Sequence, residues 1–236
     1  MRVKDYLSIR GIEFESINVM ADTGGMQALR ALGARAVPIV ARGSEYVFAQ
    51  VIRDVVEFLG LEDDPEPQLS PAQLAQRCDT VLAAAIRLTR QMPDERLEDQ
   101  LPNRPRSWRV LMHHVFQIPV SFLDLEATGE ALQYEHMVAP PPDDMRTSTA
   151  IADFGTAVRA RFRAWWAASR SQSFDGQVPT YFGATTRHEM LERTVWHSAQ
   201  HTRQVASLLE QAGITPEQPL GAEHIAGLPL TDRIWD

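Results

Sequence analysis

The sequence predicts an α+β chain in two parts: a small α/β domain over residues 1–61 and an all-α four-helix bundle over 70–236, joined by a linker at 62–69. Three observations carry that prediction. The stretch Glu62-Asp63-Asp64-Pro65-Glu66-Pro67 is charged and broken by proline, as linkers are. Before it, helical and strand-like patterns alternate in short runs; after it, apolar residues recur only at helical spacing. The 236 residues, 44% of them hydrophobic, supply enough apolar side chain for two cores.

The elements of the first part follow from local chemistry. Residues 2–10 read as a helix closed by Gly11. IEFESINV (12–19) alternates as a strand does. Asp22 or Thr23 can cap a helix through Met26, Leu29 and Leu32 that ends at Gly33. AVPIVAR and EYVFAQ are β-rich runs joined by Arg42-Gly43-Ser44-Glu45, a hairpin signal. A helix over roughly 50–59 stops at Gly60.

In the second part, Ser70-Pro71 provides an N-cap and a first-turn proline. Leu74, Cys78, Val81, Leu82, Ala85 and Leu88 then make one apolar stripe. Ser107 can cap a second helix over roughly 107–126. After the proline-rich loop at 139–144, a third helix spans about 148–169 and a fourth about 186–211, stopped by Gly213. Four helices of this length with one long connection predict a bundle, with the tail from Ile214 draped over it.

Composition narrows the function. The 23 basic and 31 acidic residues leave a net charge of −8, which disfavours nucleic acid and anionic membrane surfaces as partners. No apolar run approaches the roughly 20 residues of a membrane span. MRVKDYLSIRG has no signal-peptide apolar region, so a cytoplasmic protein is expected. Cys78, the single cysteine, can form neither an internal disulfide nor a C-x-x-C pair. Its place in an apolar stripe makes it a core residue.

The fourth helix carries His197-Ser198-Ala199-Gln200-His201. Residues four apart share a helical face, so both imidazoles can reach one ion. They lie on or beside the stripe of Leu191, Thr194, Val195, Ser198, Val205 and Leu208 that faces the bundle. Two buried histidines without a shared partner are costly, and a cation removes that cost. The second helix offers a third ligand. His114 falls between Leu111 and Ile118 on the apolar stripe, whereas His113 falls with Val110, Gln117 and Asp124 on a more polar face. His188 is nine residues before His197 and points elsewhere. His136 and His224 fall in loops, and Glu189 and Glu192 read as solvated surface residues. Arg203 is a candidate for holding an anionic substrate. Three neutral imidazoles leave open coordination positions and suit zinc, nickel, iron or manganese about equally.

SWRVLMHHVFQI and WHSAQHTRQ resemble the DinB/YfiT superfamily of four-helix metalloproteins over roughly residues 70–212. There, one His of the second helix and the two of an H-x-x-x-H motif on the fourth bind a divalent metal. The resemblance carries that role to His114, His197 and His201. The common motif reads H-x-x-x-H-R-G-Q; here Thr202-Arg203-Gln204 follows His201, with Arg at the glycine position. Members with an assigned activity include thiol-dependent S-transferases and maleylpyruvate isomerase. The resemblance therefore implies a metal-dependent transferase or isomerase using a low-molecular-weight thiol. The other reading is a non-catalytic metal-binding protein whose bundle is a dimerisation module.

RVKDYLSIRGIEFESINV resembles the segment after the Cys-x-x-Cys of glutaredoxins, so the first domain is expected to be a truncated thioredoxin-like fold. Ala36-Val37-Pro38 matches the cis-proline motif of that family. It implies a cis Val37–Pro38 bond and a thiol contact at Val37 and Pro38, with glutathione as the thiol. Val47-Phe48-Ala49-Gln50-Val51 replaces the segment that grips glutathione. Residues 1–61 have no cysteine, and thiol–disulfide exchange needs a thiolate, so as it stands the chain is no active glutaredoxin. An upstream in-frame stretch encoding C-x-x-C is expected if the reading frame is truncated. The missing strand would leave unpaired edges, a route to self-association, and a homodimer is expected.

Overall fold

A computed structural model describes residues 2–9, 11–19, 22–62, 67–101, 105–230 and 233–235. The chain forms two compact units, Met1–Glu66 and Pro67–Asp236. The boundary falls inside the stretch 62–69 expected to be a linker, of which residues 63–66 lie outside the described residues.

The first unit contains α1 (Arg2–Ile9), α2 (Thr23–Ala31), β1 (Ile39–Arg42), β2 (Glu45–Phe48) and α3 (Ile52–Leu59). The Asp22 carboxylate caps α2 by accepting from the Gly24 amide at 2.8 Å. β1 and β2 form the expected antiparallel hairpin, with Ile39 opposite Phe48 and Arg42 opposite Glu45. The core gathers Val3 and Leu7 of α1 with Ile52, Val55 and Val56 of α3. The Val37–Pro38 peptide is cis, as its sequence context led us to expect.

The strand expected at 12–19 does not form. Among the described residues the hairpin is a two-stranded sheet on its own, so this segment has no ladder to join. Ile12 packs against the core of the unit, while Phe14 and Ile17 stay in solvent at 41% and 47% exposure. Alternation reports a two-faced segment; a strand also needs a neighbour to take its backbone hydrogen bonds.

The second unit is built on four long helices: α4 (Pro71–Gln91), α5 (Trp108–Thr128), α7 (Ser148–Ser169) and α8 (Arg187–Gln211). A short α6 (Tyr134–Met137) lies between α5 and α7, and α9 (Ala222–Ile225) follows α8. The caps explain where the long helices begin. Ser70 and Gln73 form a capping box, Ser107 accepts from the Val110 amide, Thr147 caps α7, and Thr186 with Glu189 forms a second box. Gly213, with φ of 75°, follows the end of α8 in a conformation that costs glycine little. α4 and α5 each pack against both α7 and α8, which places α8 between them. Phe116, Phe122, Phe162, Leu74, Leu82 and Leu88 are fully buried there. The tail does lie along the helices: Trp235 donates to Ser207 Oγ at 3.1 Å, and Arg87 donates to the Gln218 carbonyl at 2.7 Å.

Like the short helices α6 and α9, the hairpin that precedes α8 has no counterpart in the sequence reading. β3 (Gln177–Thr180) and β4 (Gly183–Thr186) form a hairpin that runs directly into α8, with Tyr181 and Phe182 at its tip. Leu132 tethers it, donating to the Pro179 carbonyl and accepting from the Tyr181 amide. No helix among the described residues is long and apolar enough to cross a membrane.

Candidate metal centre

α5 and α8 pack together, and each carries histidine on the shared face. His114 comes from the middle of α5; His197 and His201 are one turn apart on α8. Their ring centroids form a near-equilateral triangle: 5.3 Å from His114 to His197, 5.0 Å from His114 to His201, and 4.9 Å from His197 to His201. One nitrogen from each ring lies within 4.8 Å of the other two, close enough to hold a metal ion.

For His114 and His201 the ring partners fix which nitrogen faces the centre. His114 Nδ1 is 3.0 Å from the Met137 carbonyl, which can only accept, so Nδ1 carries the hydrogen and Nε2 the lone pair. His201 Nδ1 is 2.7 Å from Gln204 Oε1, and Gln204 Nε2 donates to the Ile234 carbonyl at 2.9 Å. The second bond orients the amide, so His201 Nδ1 is also a donor and its lone pair is on Nε2. His197 stacks on Trp196, and its Nδ1 is buried with no hydrogen-bond partner among the described residues. Leaving a buried nitrogen without a partner costs about 1–3 kcal/mol. Burial, reinforced by His201 and Arg106, holds His114 well below the usual histidine pKa. Burial, His201 and Arg193 do the same to His197. Both rings are therefore neutral at pH 7, the form that ligates a metal. The donor set fits a divalent ion that favours imidazole.

No family model matches this sequence, and no curated protein matches it.

The other histidines stand apart from the triad, and three expectations about polar residues need correction. His113 does not lie on a solvated polar face: it is 3% exposed and stacks on Phe154 of α7 at 5.0 Å. The polar pattern misled because α5 packs against both α7 and α8, burying His113 as well as His114. Burial, with Arg109 adding repulsion, lowers its pKa to about 4. His188 points elsewhere, as expected, with Nε2 at 2.8 Å from the Leu69 carbonyl. His136 and His224 lie in the short helices α6 and α9 where loops were expected. Glu189 and Glu192 are buried, at 8% and 4% exposure, where solvated positions were expected. The hairpin before α8 supplies the reason for Glu189, whose carboxylate accepts from Thr185, Thr186 and the Thr186 amide.

Arg203 is half-buried and donates to Gln200 Oε1 at 3.0 Å. Two residues beyond His201, it lies about 200° further round the helix and does not share the triad's face. Val37 and Pro38 belong to the first unit, where Val37 is 47% exposed. Cys78 is fully buried, and burial pushes its thiol pKa up, so it is no nucleophile.

Sequence reasoning missed four residues around the triad. Gln204 and Met137 hold His201 and His114 in place. Arg193, one turn before His197, is 5% exposed. It donates to the Tyr181 hydroxyl at 3.2 Å and approaches Met137 sulfur at 3.6 Å. Spacing could have found Arg193 and Gln204, four before His197 and three after His201. Met137, the last residue of α6, and Tyr181, at the tip of the β3–β4 hairpin, come from distant segments and leave no local signal.

Proposed function

We propose that the chain is a metal-dependent transferase or isomerase that uses a low-molecular-weight thiol such as glutathione, acting in the cytoplasm. On this reading its second unit is a DinB-like bundle and its first a truncated, thioredoxin-like glutaredoxin remnant. The observation that carries the reading is the meeting of three imidazoles, two of them with their outer nitrogen anchored. His114, His197 and His201 would hold the ion, with Met137 and Gln204 fixing ring orientation. A divalent ion bound by three neutral ligands keeps open positions and lowers the proton affinity of a thiol or water placed there. The β1–β2 hairpin and the helix α3 that follows it support the assignment of the first unit.

The test is a thiol-consumption assay on the full chain, loaded in turn with zinc, nickel, iron and manganese. Glutathione and other small thiols are offered with a panel of electrophiles. The reading expects metal-dependent loss of free thiol with at least one pair. A fully metallated protein that consumes no thiol contradicts it.

A further inference from the structure

Residues 233–235 run along one stripe of α8. Gln200, Gln204 and Ser207 are spaced four and three apart, so they share a helical face. Gln200 Nε2 donates to the Arg233 carbonyl at 3.1 Å and to the Ile234 carbonyl at 2.9 Å. Gln204 Nε2 donates to the same Ile234 carbonyl at 2.9 Å. Ser207 Oγ accepts from Trp235 Nε1 at 3.1 Å. Consecutive tail residues are thus gripped by successive turns of the helix.

One of these grips is shared with the candidate metal centre. Gln204 Oε1 accepts from His201 Nδ1 at 2.7 Å while Nε2 of the same amide holds Ile234. The amide is a relay, with one end on the ring and the other on the tail. Coordination through His201 Nε2 makes the Nδ1–H of that ring a stronger donor. An amide that accepts more strongly also donates more strongly, because hydrogen bonds in a chain polarise one another. In the other direction, a docked tail fixes the amide and the amide fixes the ring. Gln200 grips the tail too, but its Oε1 accepts from Arg203 Nη1 at 3.0 Å.

We infer that the tail is a metal-coupled strap: an ion at the triad tightens residues 233–235 onto α8, and release of those residues loosens the ion. The two effects are one coupling free energy, so they are equal in size. The inference rests on the proposed metal centre and adds a conformational response to it.

Trypsin reads the strap directly. It cuts after Arg233, which is exposed, and it needs the Arg233 carbonyl that Gln200 holds. The experiment uses the full chain with saturating zinc or with chelator, and zinc content is measured by elemental analysis. Release of the segment from Ile234 onward is followed by liquid chromatography and normalised to cleavage of a free arginine peptide in the same buffer. Zinc is expected to slow release about tenfold, the low end for an outer-shell contact to a metal ligand. The clipped protein, which lacks Ile234, is expected to bind zinc about tenfold more weakly. Gln200→Ala loosens the strap and is expected to keep the zinc response. Gln204→Leu cuts the relay and is expected to release the segment equally fast with and without bound zinc. Release indifferent to zinc in the parent, unchanged zinc affinity in the clipped protein, zinc protection retained in Gln204→Leu or lost in Gln200→Ala overturns the strap and leaves the metal centre standing. Failure to take up zinc overturns both, and elemental analysis shows which has failed.

Discussion

Gln204 Oε1 lies 2.7 Å from His201 Nδ1, and the Gln204 amide is itself held by the Ile234 carbonyl at 2.9 Å. A residue of the C-terminal tail therefore orients a histidine of the candidate centre. The tail is part of the site's support, and the packing of residues 233–235 on α8 acquires a functional meaning.

Removing that support weakens the metal without removing a ligand. Gln204→Leu is expected to lower metal affinity by about 10–100-fold, the usual cost of losing an outer-shell hydrogen bond. Gln204→Glu keeps an acceptor for His201 and is expected to retain most of the affinity. Competition with a chromophoric chelator measures both, and equal affinity in Gln204→Leu and the parent contradicts the role.

The metal-free protein is expected to lose stability as pH falls below 6.5. His113, His114 and His197 have folded-state pKa values below the ordinary 6.5, His113 at about 4. Below 6.5 the unfolded chain takes up protons that the folded chain refuses, so the balance shifts toward unfolding. The contribution is intact above 6.5 and is lost down to about pH 4 for His113, and lower still for the other two. Urea midpoints between pH 7.5 and 5, measured with a chelator present, test this; a flat profile contradicts it.

Gly155 of α7 faces the Phe116 ring so closely that an added Cβ would lie 2.5 Å from its Cε1. Phe116 is fully buried and cannot swing clear. Alanine gains about 1 kcal/mol of helix propensity there. Overpacking against a fixed ring costs about 1–3 kcal/mol. Gly155→Ala is expected to be net destabilising by up to about 2 kcal/mol in chemical denaturation, and a stabilised variant contradicts the contact.

Glu126 and Arg187 form an ion pair at 6% and 13% side-chain exposure, and Trp165 donates to the same carboxylate at 2.8 Å. Glu126→Ala leaves a guanidinium and an indole N–H without that acceptor at the start of α8. The expected loss is about 3 kcal/mol, the low end for a broken buried pair, because Arg187 keeps Gln172 and the Ser173 carbonyl. Thermal unfolding of the variant checks this, and a shift within error of zero contradicts it.

The long helices were legible because their ends are written in local chemistry. Ser70-Pro71, Ser107 and Gly213 mark boundaries that hold whatever packs beside them. The inward faces of His114, His197 and His201 were legible for the same reason: helical periodicity places them before any tertiary contact is known. What periodicity cannot supply is the neighbour. Residues 12–19 alternate like a strand but have no ladder to join. His113 looks solvent-facing until α7 covers it. The β3–β4 hairpin turns at Tyr181-Phe182, with no asparagine–glycine signal, and so brings Tyr181 to Arg193 without warning.

The central claim is that His114, His197 and His201 jointly hold one ion, and metal stoichiometry after gel filtration tests it most directly. The account predicts about one divalent ion per chain in the parent and in His188→Ala, and sharply reduced content in His114→Ala, His197→Ala and His201→Ala. Metal that survives all three substitutions, or that is lost equally in His188→Ala, contradicts it.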